Sequence, residues 1–231
     1  MIYLYEAFYK NGVNVSLEWG ELVSYVWIGQ AFYTLVFFRV MNKDIYEMIR
    51  SGQVAYEYVR PLNIYWMWFS KICAERLSAF LIRFLPVIVF AALIPQPYNL
   101  TMPASVGHFA LFILTMIFGL FISTALGMLI YIFMFFTISC KGLFNIYGNI
   151  ADFFSGMDLP IAFMPEVVQA LCFILPFRLC MDLPIRLYVG NITITEGVQT
   201  TVLQIAWIMG LVTFGNYMMK RVGRRLVVQG G

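Results

Sequence analysis

Residues 109–138 run for 30 positions without one charged side chain. Wound as a helix, such a stretch reaches about 45 Å, more than the roughly 30 Å of hydrocarbon in a bilayer. A soluble domain of 231 residues cannot hide it, because 61% of the chain is hydrophobic and only 12% charged. Ordinary soluble domains hold about 45–50% apolar and about 25% charged residues, and small ones leave much of their area in water. Lipid is therefore the solvent for most of this polypeptide.

Other spans follow from the same criterion. Residues 22–38 are uncharged over 17 positions, the lower limit for a crossing, and 197–219 over 23, closing on Lys220, Arg221, Arg224 and Arg225. Residues 77–94 are of similar length but contain Arg83 and Pro86, and 142–164 are interrupted by Asp152, Gly156, Asp158 and Pro160. The apolar piece 167–177 is too short to cross and reads as half of an outer re-entrant hairpin over 165–190. The start, 1–9, carries Glu6 and lacks the basic lead of a signal peptide. As a helix it reaches only about 14 Å, so it reads as the tail of a span whose beginning is missing. The expectation is a single all-α membrane domain over 1–231, with five complete crossings preceded by the remnant of a sixth.

Sidedness comes from where Lys and Arg collect, since cytoplasmic connections hold the excess. Placing 39–83, Lys141 and the C-terminus in the cytosol gathers 12 of the 15 basic residues, leaving Lys10, Arg178 and Arg186 outside. The net charge of +3 is far below the footprint of a nucleic-acid binder. Cys73, Cys140, Cys172 and Cys180 form no CxxC, and His108 is the single histidine, so no zinc site is legible. Cys172 and Cys180 fall on the outer side, as free thiols or as a disulfide.

The most informative polar stretch is 41–70. Asn42 is placed to cap a helix DIYEMIR and Gly52 to end it. Ile45, Met48 and Ile49 recur at helical spacing as an apolar stripe, while Asp44 and Glu47 share another face. Such a stripe rests on lipid or docks on a partner protein. Pro61 disfavours helix at Arg60 and marks a bend before the next helix starts. Gly119, Ser123 and Gly127 repeat every four residues, a pattern that lets membrane helices approach closely. Arg83 and Asp152, with Gln30 and Gln204, are the intramembrane polar candidates, because charge in hydrocarbon is costly. Arg83 has the bland alternative of snorkelling to headgroups, and Asp152 that of a wet interface. No GxxxxGK[ST] surrounds any lysine, so ATP is not hydrolysed here by that route, and no Ser/His/Asp arrangement is credible.

Taken in order, LVSYVWIGQAF at 22–32, DIYEMIRSGQVAYEYVRPLNIYWMWF at 44–69, MPASVGHF at 102–109, GMLIYIFMFFTIS at 127–139 and RRLVVQGG at 224–231 resemble the membrane subunit of a type-2 ABC exporter. The resemblance covers nearly the whole chain. It implies six membrane helices per permease, a second permease of the same or another kind, and cytosolic ABC ATPase subunits that bind ATP and Mg, with no cofactor in this chain. It further implies a bacterial inner-membrane location with a cytosolic C-terminus. Asp44, Ile45, Glu47, Met48, Ile49, Arg50, Ser51 and Gly52 resemble the family's coupling helix, and 165–190 its outer hairpin. Family members begin with a basic segment and a complete first helix, so this chain starts either at a misassigned position or as a truncated product. The residues alone leave two rivals: an ion-coupled transporter using Asp152 and Arg83, and a membrane assembly subunit that transports nothing.

Overall fold

The computed structural model describes residues 2–10, 17–39, 41–59, 61–137 and 140–224, and among them every regular element is helical. The helices are α1 (Ile2–Lys10), α2 (Trp19–Val36), α3 (Lys43–Arg50), α4 (Val54–Tyr58), α5 (Ile64–Leu93), α6 (Val106–Met134), α7 (Cys140–Ser155), α8 (Glu166–Ile174), α9 (Asp182–Val189) and α10 (Ile194–Gly223). Tight 3₁₀ turns lie at Ile161–Phe163 and Phe177–Cys180. Arg60, Arg225 and the terminal VVQGG lie outside the described residues.

Among the described residues, α5, α6 and α10 are the three helices long and apolar enough to cross a membrane. The expected span 77–94 is the second half of a longer helix, because α5 begins at Ile64 rather than beyond residue 70. Asn63 supplies the reason at its start, accepting from the Trp66 N–H at 3.4 Å. Lys71, Glu75 and Arg76 interrupt the apolar run in sequence, yet each is held by another element: Lys71 by Asp44, Glu75 by Asn42 and Arg76 by Ser123. Charges that read as a loop are thus the polar seam of a continuing helix. α2 has the length, 18 residues, but with Glu21 and Gln30 in it not the apolarity, and α7, with 16, lacks the length.

α6 is the central element. Of its most apolar window 56% is buried within the chain, against 11% for α5 and 22% for α10. It touches α2, α3, α5, α7, α9, α10 and the 177–180 turn. Because lipid tails are as apolar as leucine, burial does not draw such helices together, and close backbone approach and interhelical hydrogen bonds must do so. Both are present. Gly119 lies against the Cys180 backbone, Gln204 on α10 donates to the Thr115 carbonyl of α6 at 3.0 Å, Arg76 on α5 to Ser123 of α6 at 2.6 Å, and Arg83 on α5 to Gln30 of α2 at 3.0 Å. Each such bond contributes about 0.6 kcal/mol in a membrane bundle.

Between α7 and α10 the chain doubles back. α7 spans about 24 Å at helical rise before Gly156, at φ +81, turns it sharply. The Tyr25 hydroxyl meets Asp182 at 3.1 Å across that turn. The 177–180 turn then lies against the middle of α6, and α9 returns to the end of the bundle where Ala104 donates to the Tyr188 carbonyl at 3.2 Å. Cys73, Cys172 and Cys180 are all unpaired thiols.

Candidate functional site

The elbow that joins α2 to α5 is built on Asn42. Its side-chain oxygen accepts from the Ile45 N–H at 2.8 Å and caps α3, as its position in the sequence predicts. Its side-chain amide donates to Glu75 at 2.5 Å on α5, and its own backbone N–H donates to the Tyr131 hydroxyl at 2.7 Å on α6. One buried residue therefore starts α3 and ties it to two long helices. Lys71 adds a second tie, at 2.6 Å from Asp44. At the other end the Ser51 hydroxyl donates to the Glu47 carbonyl at 2.7 Å, and Gly52, at φ +75, takes the left-handed conformation that ends the helix.

The apolar stripe of α3 has a partner, and that partner is this chain. Ile45 is fully buried, and Met48 and Ile49 are half-buried against the same core. These three side chains, expected as the docking stripe, are instead the anchor of the elbow, because the open end of the bundle offers them apolar cover. The face turned outward carries Lys43, Asp44, Glu47 and Arg50, followed by Ser51 and Gly52, all exposed.

A third tie reaches the last helix. The Tyr58 hydroxyl donates to the Met219 carbonyl at 2.9 Å, and the Asn63 amide donates to Asn216 at 3.2 Å. A Cβ on Gly223 would overlap the Tyr58 ring, and one on Gly215 would stand 2.7 Å from the Tyr65 ring. These two of the four glycines of α10 are seats for two tyrosines. The elbow is thus fastened to α5, α6 and α10.

The intramembrane polar candidates do not converge on one site. Arg83 donates to the Gln30 carbonyl and to Gln30 Oε1, both at 3.0 Å, and lies 4.9 Å from the Tyr33 ring centroid. Asp152, buried on α7, pairs instead with Arg39 at 2.5 Å, and Arg39 also reaches Asp158 at 2.7 Å. Gln204 on α10 donates to two main-chain carbonyls, Thr115 at 3.0 Å and Leu179 at 2.7 Å. Gly119 lies under the backbone of Cys180, and Ser123 accepts from Arg76 at 2.6 Å with Gly127 one turn further on. The small-residue stripe of α6 therefore receives a re-entering turn and a buried arginine.

The Asp152 pair carries a testable asymmetry. Removing Arg39 leaves a buried carboxylate without its cation, which costs more than losing both charges together. Arg39→Ala should destabilise the protein by about 2 kcal/mol, a value discounted for the partial exposure of Arg39. Adding Asp152→Asn should recover most of that loss, read as unfolding midpoints in detergent. A double variant no more stable than the single one would refute the pairing.

Residues 4–230 match the profile of a family described as ABC-2 family transporter protein. The chain belongs to that family. No curated protein and no solved structure matches it. This ABC-2 permease is accordingly a multi-pass component of a membrane transporter, and its long apolar helices agree with that membership.

Several polar residues that organise the ABC-2 permease are not evident from its sequence. Arg39 and Arg76 count there as two of many cations near a span end, whereas one holds Asp152 and the other, 8% exposed, enters the bundle at Ser123. Arg178 and Asp182 are 5% and 1% exposed in the segment expected at the outer interface. The Arg178 guanidinium stacks 3.7 Å from the Phe173 ring centroid. For Gly215 and Gly223 a signal exists: two glycines eight positions apart lie close to one helical face, and each faces a tyrosine.

Proposed function

We propose that this chain forms the translocation pathway of an ABC exporter together with a second permease, and is worked by a separate cytosolic ABC ATPase that holds the elbow. Five crossings, a cytosolic elbow and C-terminus, and an outer hairpin over 165–190 in a bacterial inner membrane make up this reading. The carrying observation is the division of α3 into two faces. Ile45, Met48 and Ile49 anchor it in the bundle, while Lys43, Glu47 and Arg50, beside the Asp44–Lys71 pair, face outward for a partner. A push on that outer face passes through Asn42 to α5 and α6 and through Tyr58 to α10. ATP and Mg belong to the partner. The ion-coupled alternative draws no support from geometry, since Asp152 and Arg83 are each engaged with a different residue.

The test must use the outer face. An aspartate at Met48 or Ile49 would disturb the anchor itself and confuse unfolding with lost docking. Glu47→Lys with Arg50→Glu inverts the exposed charges and should lower co-purification of the ATPase about tenfold while leaving the permease folded. Unaltered co-purification would remove the elbow as the docking site. Ser51→Cys should react with an impermeant thiol reagent in inside-out vesicles only, and reaction in right-side-out vesicles would invert the topology.

A further inference from the structure

The seam between α5 and α10 holds two clefts in line. The first, about 510 Å³, opens at the end of the bundle between the α4–α5 junction and the last turn of α10. Leu62, Ile64 and Met219 form its apolar wall, and Lys220 and Arg224 stand at its rim. No carboxylate lines it, and neither cation makes an ion pair among the described residues. The second cleft, about 420 Å³, lies where that seam meets α6, between Trp66 and Phe69 of α5, Phe121 of α6, and Ile208, Met209 and Val212 of α10. From Met219 to Val212 is seven residues of helix, about 10 Å along the axis. A basic cleft at the mouth is therefore followed, past the exposed Asn63–Asn216 bond, by an apolar cleft further along α10.

We infer that this seam binds one anionic phospholipid, its phosphate between Lys220 and Arg224 and one acyl chain between Trp66 and Val212. Helix C-termini attract cations through their dipole alone, which accounts for basic residues at the end of α10. It does not account for an apolar cleft aligned beneath them. The phosphate matches the unneutralised rim, and the chain matches a slot whose walls are aromatic and aliphatic. The bound lipid would lie beside Tyr58, where the elbow meets α10. The inference requires α5 and α10 to span the bilayer but needs no ATPase, so it stands or falls apart from the proposed coupling.

The experiment is lipid retention by the purified full chain, without ATPase, after reconstitution in phosphatidylcholine with or without phosphatidylglycerol. Native mass spectrometry counts the lipid kept, and thermal unfolding reports its effect. The unaltered chain should retain phosphatidylglycerol in preference to phosphatidylcholine and unfold at higher temperature with it. Lys220→Gln with Arg224→Gln should weaken that retention about thirtyfold, the worth of two juxtamembrane cations. Val212→Trp, which fills the chain slot and leaves the rim intact, should also release the lipid. Equal retention of both lipids, retention unaffected by either variant, or displacement by inorganic phosphate alone would each overturn the assignment.

Discussion

Under the proposed coupling, Gly223→Val should leave the permease able to bind an ATPase yet stop α10 from following the elbow. A side chain at this position cannot coexist with the Tyr58 ring, and moving that ring breaks its hydrogen bond to the Met219 carbonyl. The ties through Asn42 and Lys71 remain, so the ATPase would still move α5 and α6. Spin labels on Ser51→Cys and Gly210→Cys provide the measurement, since a Cβ on Gly210 meets nothing within 4 Å. In the parent the proposed coupling requires elbow and helix to move together, so the label separation should hold a fixed value as nucleotide is bound and released. With Gly223→Val it should broaden and change with nucleotide. Tyr58→Phe removes only the hydroxyl and should act in the same direction at about 1 kcal/mol. A separation insensitive to both changes would eliminate Tyr58 as the link.

Gly119→Leu should be the most damaging single change to folding. A Cβ there would stand 2.6 Å from the Cys180 carbonyl oxygen and 3.1 Å from its Cα, and backbone cannot rotate aside as a side-chain tip can. Forcing the 177–180 turn away from α6 also stretches the Gln204 bond to the Leu179 carbonyl. A loss of about 3 kcal/mol is expected, the upper range for overpacking a filled interior. Gly127→Ala, on the same stripe, should be close to neutral, because the nearest atom to its Cβ is Arg76 Nη2 at 3.9 Å. Unfolding midpoints in detergent compare the two, and similar losses would show that position 119 holds no privileged contact.

The parts of this architecture visible in the sequence are those that repeat over many residues. The apolar runs announce α6 and α10, and Asn42 and Gly52 bound α3 because a cap acts on its own local backbone. What stays hidden depends on distant partners. Lys71, Glu75 and Arg76 look like solvated charge until Asp44, Asn42 and Ser123 are brought to them by the fold, and with them the continuity of the helix that starts after Pro61 and runs on into 77–93. The orientation of α3 is hidden for the same reason. Periodicity shows that Ile45, Met48 and Ile49 share a stripe, but nothing local says whether the surface beneath belongs to the same chain. Asp152 is recognisable as a costly charge, whereas Arg39, which neutralises it, is 113 positions away.

Gln204 addresses only main-chain oxygens, those of Thr115 and Leu179. Every amino acid offers such an oxygen, so the fastening is indifferent to which side chains occupy 115 and 179 provided they fit. Thr115 and Leu179 are themselves buried, so what limits exchange at either place is the space around the side chain and not the clasp. The reverse freedom does not exist: of the three participants, the glutamine alone cannot be traded.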